Sequence, residues 1–131
     1  MSGCLLWPFN SFHGKSTPND ADRDGEILDV VGESFYRDNL RRVCGRPTAA
    51  GEDRWVWAIL VPDPQNQYDP NAVRVEIAGR IVGHLPREIA PEMQPTLPPH
   101  GLRVAAHIRG GWLDDTGQAH YSVRIVIPED H

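Results

Sequence analysis

Cysteine is nearly absent from this 131-residue chain, which carries only Cys4 and Cys44. Two thiols make neither a disulfide framework nor an all-cysteine zinc site. A reduced, intracellular protein with a cytoplasmic location is the expectation. Lysine is scarcer still: Lys15 stands alone, and every other cation is an arginine. No run approaches the roughly 18 apolar residues of a membrane helix, so no membrane partner is expected. The apolar start, Cys4 to Phe9, has no basic residue before it and no small-residue cleavage site after it, unlike a secretory signal. A Walker phosphate loop, a dinucleotide fingerprint and a Gly-x-Ser-x-Gly turn are all missing. No two histidines sit four apart on a predicted helix, so a helix-borne zinc site is excluded. These absences predict no catalytic residues, no metal and no cofactor.

What is present suits a small β protein. The length fits one domain, or one domain with tails. Hydrophobic residues make up 40%, enough for a core, while 12 Pro and 12 Gly argue against a helical bundle. The formal charge is −5, but it is unevenly spread. Residues 1–26 carry four acids against Lys15 and Arg23. Residues 128–131 add Glu129 and Asp130. The middle is close to neutral, and its cations are all arginine. Arginine suits bidentate phosphate contact and stacking on bases. A codon bias toward arginine explains the same count.

Residues 1–26 lack periodicity and read as an irregular tail, with Trp7 and Phe9 as possible anchors. No core pattern begins before Ile27. Strands are expected near 27–34, 55–61, 72–77, 80–85, 102–110 and 119–127. Val73, Val75 and Ile77 alternate with Arg74 and Glu76, and Ala78-Gly79 supplies the turn of a hairpin. Tyr121, Val123, Ile125 and Ile127 alternate with Ser122, Arg124 and Val126. Helices are expected near 38–44 and 87–93. The first is capped by Asp38 and ended by Gly45, with Leu40, Val43 and Cys44 on one face. The second opens on Pro86, and Pro91 shortens or kinks it. Pro47 to Asp53 and Asp114 to Gly117 read as loops. Six strands without βαβ alternation predict a mostly β fold, an OB-like antiparallel barrel whose closure removes free edges. The domain is placed at 27–127, with an acidic end at 128–131.

Asn66-Gln67-Tyr68-Asp69-Pro70-Asn71 concentrates an aromatic, a carboxylate and amides in one loop. Such a loop is equipped for polar recognition. It is equally suited to a capped turn, with Asp69 and Asn71 bonding backbone amides. His107 and His120 fall on the strands of the last hairpin. They read as scattered surface histidines; the lesser alternative is a pair across the hairpin that, with an aspartate, binds a metal.

Three blocks then carry a resemblance. Val30-Val31-Gly32-Glu33-Ser34-Phe35-Tyr36-Arg37 comes first, Asn66 to Val73 second, and Val82-Gly83-His84-Leu85-Pro86-Arg87 third. In this order and spacing, over residues 27–127, the chain resembles the HIRAN domain. The resemblance implies an OB-like barrel of six strands and two short helices. Such domains occur fused to helicases and nucleases, and as small stand-alone bacterial and phage proteins. In the helicase-fused form the domain binds single-stranded DNA and captures a 3′ end. This chain is expected to be a stand-alone member, with single-stranded DNA as its ligand and a helicase or nuclease as a candidate partner protein.

The residues that the resemblance carries over are Phe35, Tyr36, Tyr68, Asp69 and His84, with Arg87 as the cation after it. Tyr121 corresponds to a late-strand aromatic. Arg37 and Asn71 belong to the same blocks. Arg37, Arg41, Arg42 and Arg87 would meet phosphates, while aromatic faces stack on bases. Ser34 stands where the DNA-binding relative has arginine. A protein-interaction module that keeps the fold without the ligand is the rival reading. A metal-assisted nuclease using Asp69 and nearby histidines is the third.

Overall fold

The structure is a computed structural model that describes residues 17–45, 51–113, 115 and 119–129. Trp7, Phe9 and the rest of the expected tail up to residue 16 lie outside the described residues, as does most of the turn between the last two strands. Six strands run in chain order: β1 Glu26–Asp29, β2 Glu52–Pro62, β3 Val73–Ile77, β4 Arg80–His84, β5 Leu102–Leu113 and β6 Ala119–Ile127. All neighbours are antiparallel, in the order β1-β6-β5-β2-β3-β4. The sheet curls into a half-barrel, and two short helices accompany it: α1 Arg37–Cys44 and α2 Ala90–Met93.

The period-two pattern explains the core. Val73, Val75 and Ile77 are buried, while Arg74 and Glu76 face out and pair with one another at 2.6 Å. On β6, Val123, Ile125 and Ile127 point inward. Leu40 and Cys44 of α1 close the same core, with Val43 packed at its margin. Burying each such aliphatic side chain is worth roughly 1.5–3 kcal/mol. The buried Cys44 thiol is pushed up to about 11, first by burial and then by Glu52, so it stays protonated and inert.

The two edges of the sheet meet at one point. Val30 N–H still donates to Val123 on β6, while Val31 and His84 exchange both backbone hydrogen bonds at 2.9 Å. One residue therefore hands the chain from β6 to the far edge strand, β4. Gly83 makes this approach possible, because a Cβ there would sit 2.4 Å from Val30 Cγ1 and 2.7 Å from the Val31 carbonyl oxygen.

Several local expectations change. The first strand ends at Asp29 rather than near 34, because Gly32 takes a φ of 82° and opens a 3-10 turn over Glu33–Tyr36. That turn runs into α1, so Asp38 lies in the helix's first turn and does not cap it. The second helix starts at Ala90, with Pro91 in its first turn, where a missing N–H costs nothing. β2 starts at Glu52, inside the expected loop.

The stretch before β1 is also structured. Ala21–Arg23 forms a 3-10 turn, and the Arg23 guanidinium stands 4.7 Å over the Trp55 ring. Pro18 is buried. Val126 is buried although it faces away from Ile125, and the backbone of Gly25 lies against it.

Candidate nucleic-acid interface

The loop Asn66 to Asn71 is held by its own polar side chains. Asn66 Oδ1 accepts from the backbone N–H of Tyr68 at 2.9 Å and of Asp69 at 3.0 Å. Asp69 Oδ1 accepts from Asn71 N–H at 2.9 Å. From the far side, Gln94 Nε2 donates to the carbonyls of Pro70 and Ala72, both at 2.9 Å. The loop is thus a capped turn. That leaves Tyr68 nowhere to pack: its side chain projects outward, 84% exposed.

A second aromatic stands near it for a similar reason. The 3-10 turn after Gly32 ends in Phe35 and Tyr36. Phe35 is 85% exposed, while Tyr36 turns toward His84, with ring centroids 5.9 Å apart and tilted by 46°. Asn39 Nδ2 donates to the Ile81 carbonyl at 2.8 Å and fixes the following helix against β4. The joint between sheet edges therefore sets the spacing of the two aromatic segments.

Between them lies an open cavity of about 530 Å³. Phe35, Tyr36, Tyr68, Asp69, His84 and Arg87 all line it, together with Val31, Gly32, Asn66, Gln67, Ala72 and Leu85. Six residues named from three separated sequence blocks thus share one surface. The added residues are aliphatic or small, apart from the loop-capping Asn66 and its neighbour Gln67. All of them lie in the same three blocks, but none carried a signal of its own beyond the polar character of Asn66 and Gln67.

The charges are arranged simply. Asp69 keeps one carboxylate oxygen on the loop, and the other, Oδ2, stands 3.8 Å from Arg87 Nε. The Arg87 side chain is 83% exposed, so this pair is weak and the guanidinium is free to swing. His84 is held below its ordinary value, first by burial, with Asp63 opposing and Arg74 adding to the shift. It is therefore a neutral ring at pH 7.

Not every named residue reaches the cavity. Arg37 lies just beyond Gly32, in a small hollow shared with Ser34, His120 and Tyr121. Tyr121 is half-buried there and also borders a third hollow with Arg109 and Ser122. Arg41 and Arg42 line a separate surface with Asp38 and Gly45. Asn71 is exposed and contributes its backbone N–H to the loop.

The proposed histidine pair does not form. His107 is opposite Arg124, and His120 is opposite Trp112. Instead, the His107 ring stacks on Trp55 at 4.5 Å, and its Nε2 lies 2.6 Å from Asp53 Oδ1. That hydrogen bond is the main cause holding the Asp53 carboxyl below its ordinary value. Among the described residues no group of three His, Cys, Asp or Glu side chains is placed to hold a metal. No helix among them is long and apolar enough to cross a membrane.

A curled antiparallel sheet that opens an aromatic groove at its closing edge belongs with small β-barrel binding modules. More specifically, the HIRAN domain family model matches residues 29–129, most of the chain, and this protein is a member of that family. The family is known for nucleic-acid binding. No curated protein and no solved structure matches the chain.

Proposed function

We propose that this chain binds single-stranded DNA at a free 3′ end, without catalysis. The observation that carries the reading is the pair Phe35 and Tyr68. They are the two most exposed large hydrophobic side chains among the described residues, and both border one cavity. Exposed aromatic faces across a groove fit unpaired bases, each stack being worth about 1–3 kcal/mol. Asp69 Oδ2 then accepts from the terminal 3′ hydroxyl, and Arg87 leaves its weak pair to meet the adjoining phosphate. A 3′ phosphate at the same point faces the carboxylate and is disfavoured.

Fluorescence anisotropy with matched oligonucleotides tests this reading. The strand ending in a 3′ hydroxyl should bind about tenfold tighter than its 3′-phosphorylated form, a difference of about 1.4 kcal/mol. Asp69→Asn should shrink that ratio, because its amide oxygen still caps Asn71 while its NH2 replaces the repelling oxygen. Tyr68→Ala should weaken both strands alike, by about 1–3 kcal/mol. Equal affinity for the two ends would remove end capture and leave strand binding. No binding to either at low salt would favour a protein-interaction role.

A further inference from the structure

The aromatic groove does not stop at Gly32. That glycine also borders the adjoining hollow of about 160 Å³, whose other walls are Glu33, Ser34, Arg37, His120 and Tyr121. His120 and Tyr121 are in turn shared with a further hollow of about 410 Å³, bounded by Arg109, Gly110 and Ser122. Three depressions thus follow one another around the molecule, each joined to the next by shared residues. Their chemistry changes along the way. The first is mainly aromatic and apolar, with Asp69, His84 and Arg87 in its walls. The second and third are lined by arginine, histidine and serine around Tyr121. Glu33 is the one acid in their walls, and its carboxylate faces inward, accepting from Val123 N–H at 3.2 Å; Asp53 lies next to them, opposite Arg109 on β2.

The bend in the track has a local cause. The pairing of β5 with β6 shifts between Gly110 and Trp112, and Gly110 and Gly111 take φ values of 117° and 79°. A Cβ at Gly110 would lie 2.2 Å from the His120 carbonyl oxygen. Bulges of this kind re-aim neighbouring side chains and recur beside binding sites.

We infer that the second and third hollows form an exit track for the phosphodiester backbone of the strand whose 3′ nucleotide occupies the aromatic groove. The inference rests on the reading of the groove as an end-binding site. With the terminus at Asp69 and Arg87, the body of the strand leaves at the opposite rim, past Gly32. Arg37 meets it first, and Arg109 meets it further along. Ser34 and Ser122 donate hydroxyl hydrogen bonds to phosphate oxygens. The occupant is single-stranded, because the approach runs through a groove that holds unpaired bases. The recognition unit is therefore several nucleotides long, longer than the groove alone accommodates.

A length series of oligothymidylates with free 3′ hydroxyls tests this, measured by calorimetry on the full chain. Affinity should rise from two nucleotides to about four to six and then level, within the span of a single small barrel. Arg109→Glu should cost about tenfold on the six-nucleotide strand and leave the two-nucleotide strand unchanged, as expected for one lost and one reversed charge contact. Arg80→Glu makes the same charge change on the exposed β3–β4 turn and should change neither. Unaltered thermal midpoints show that the variants remain folded. Binding of the dinucleotide with no gain from length overturns the track and leaves the groove reading standing. So does equal weakening by the Arg80 and Arg109 variants. Absence of binding at every length overturns both.

Discussion

At the scale of single residues, His84 carries two duties that oppose each other. Its backbone closes the sheet on Val31, which holds it in a half-buried position. Its ring sits beside Tyr36 at the floor of the groove, where burial weakens its hold on a proton. The unfolded chain, with an ordinary histidine, takes up that proton more readily. Stability from this group is thus fully present above an ordinary histidine value of about 6.5 and is lost as the pH falls below it. Urea unfolding at pH 8 and at pH 5 should show a larger acid loss in the native protein than in His84→Gln. An equal loss in both would place the acid sensitivity elsewhere in the molecule. The sequence showed that a histidine follows Gly83. It did not show that the same residue is the closing joint, since that depends on which far strand lies alongside.

At the scale of elements, alternation and turn chemistry were legible wherever the local signal had one reading. The β3–β4 hairpin and α1 lie where Val73 to Leu85 and Leu40 to Cys44 place them. The polar loop offered two readings, and both its features appear in one structure. Asn66 and Asp69 cap the turn, and the capping is what leaves Tyr68 exposed. Expectations failed where a contact distant in sequence decides the outcome. Nothing in residues 18–25 has a core pattern, yet Arg23 lies over Trp55 and Gly25 lies on Val126. The outward face of the sheet there needs a cover, and this segment supplies one. Arg23→Ala should therefore cost about 0.5–1 kcal/mol, a drop of roughly 2–5 °C in thermal midpoint for a domain of this size. Removing residues 1–25 should cost more than that single change. A truncated chain with an unchanged midpoint would mean that the segment rests on the sheet without stabilising it.

At the scale of the whole molecule, net charge and local charge point in different directions. A chain of −5 repels a polyanion at long range, so the proposed binding to DNA would have to come from a few well-placed arginines. The fold gathers them: Arg87 at the groove, Arg37 beyond Gly32, and Arg109 at the bulge. Two or three phosphate contacts imply that log affinity falls against log salt with a slope of about −1.4 to −2, at roughly −0.7 per contact for single strands. Between about 50 and about 200 mM salt this is a loss of roughly sevenfold to twentyfold, far less than a broad basic surface would show. Arg87→Gln should make the slope shallower by about 0.7, because it removes one of those contacts. Tyr68→Ala should lower affinity without changing the slope, because stacking releases no counterions. The two variants thus separate the electrostatic half of the interface from the aromatic half. A slope unaffected by Arg87→Gln would place the phosphates away from the groove. A change in slope with Tyr68→Ala would mean that the ring orders the strand for its charge contacts and is more than a stacking surface.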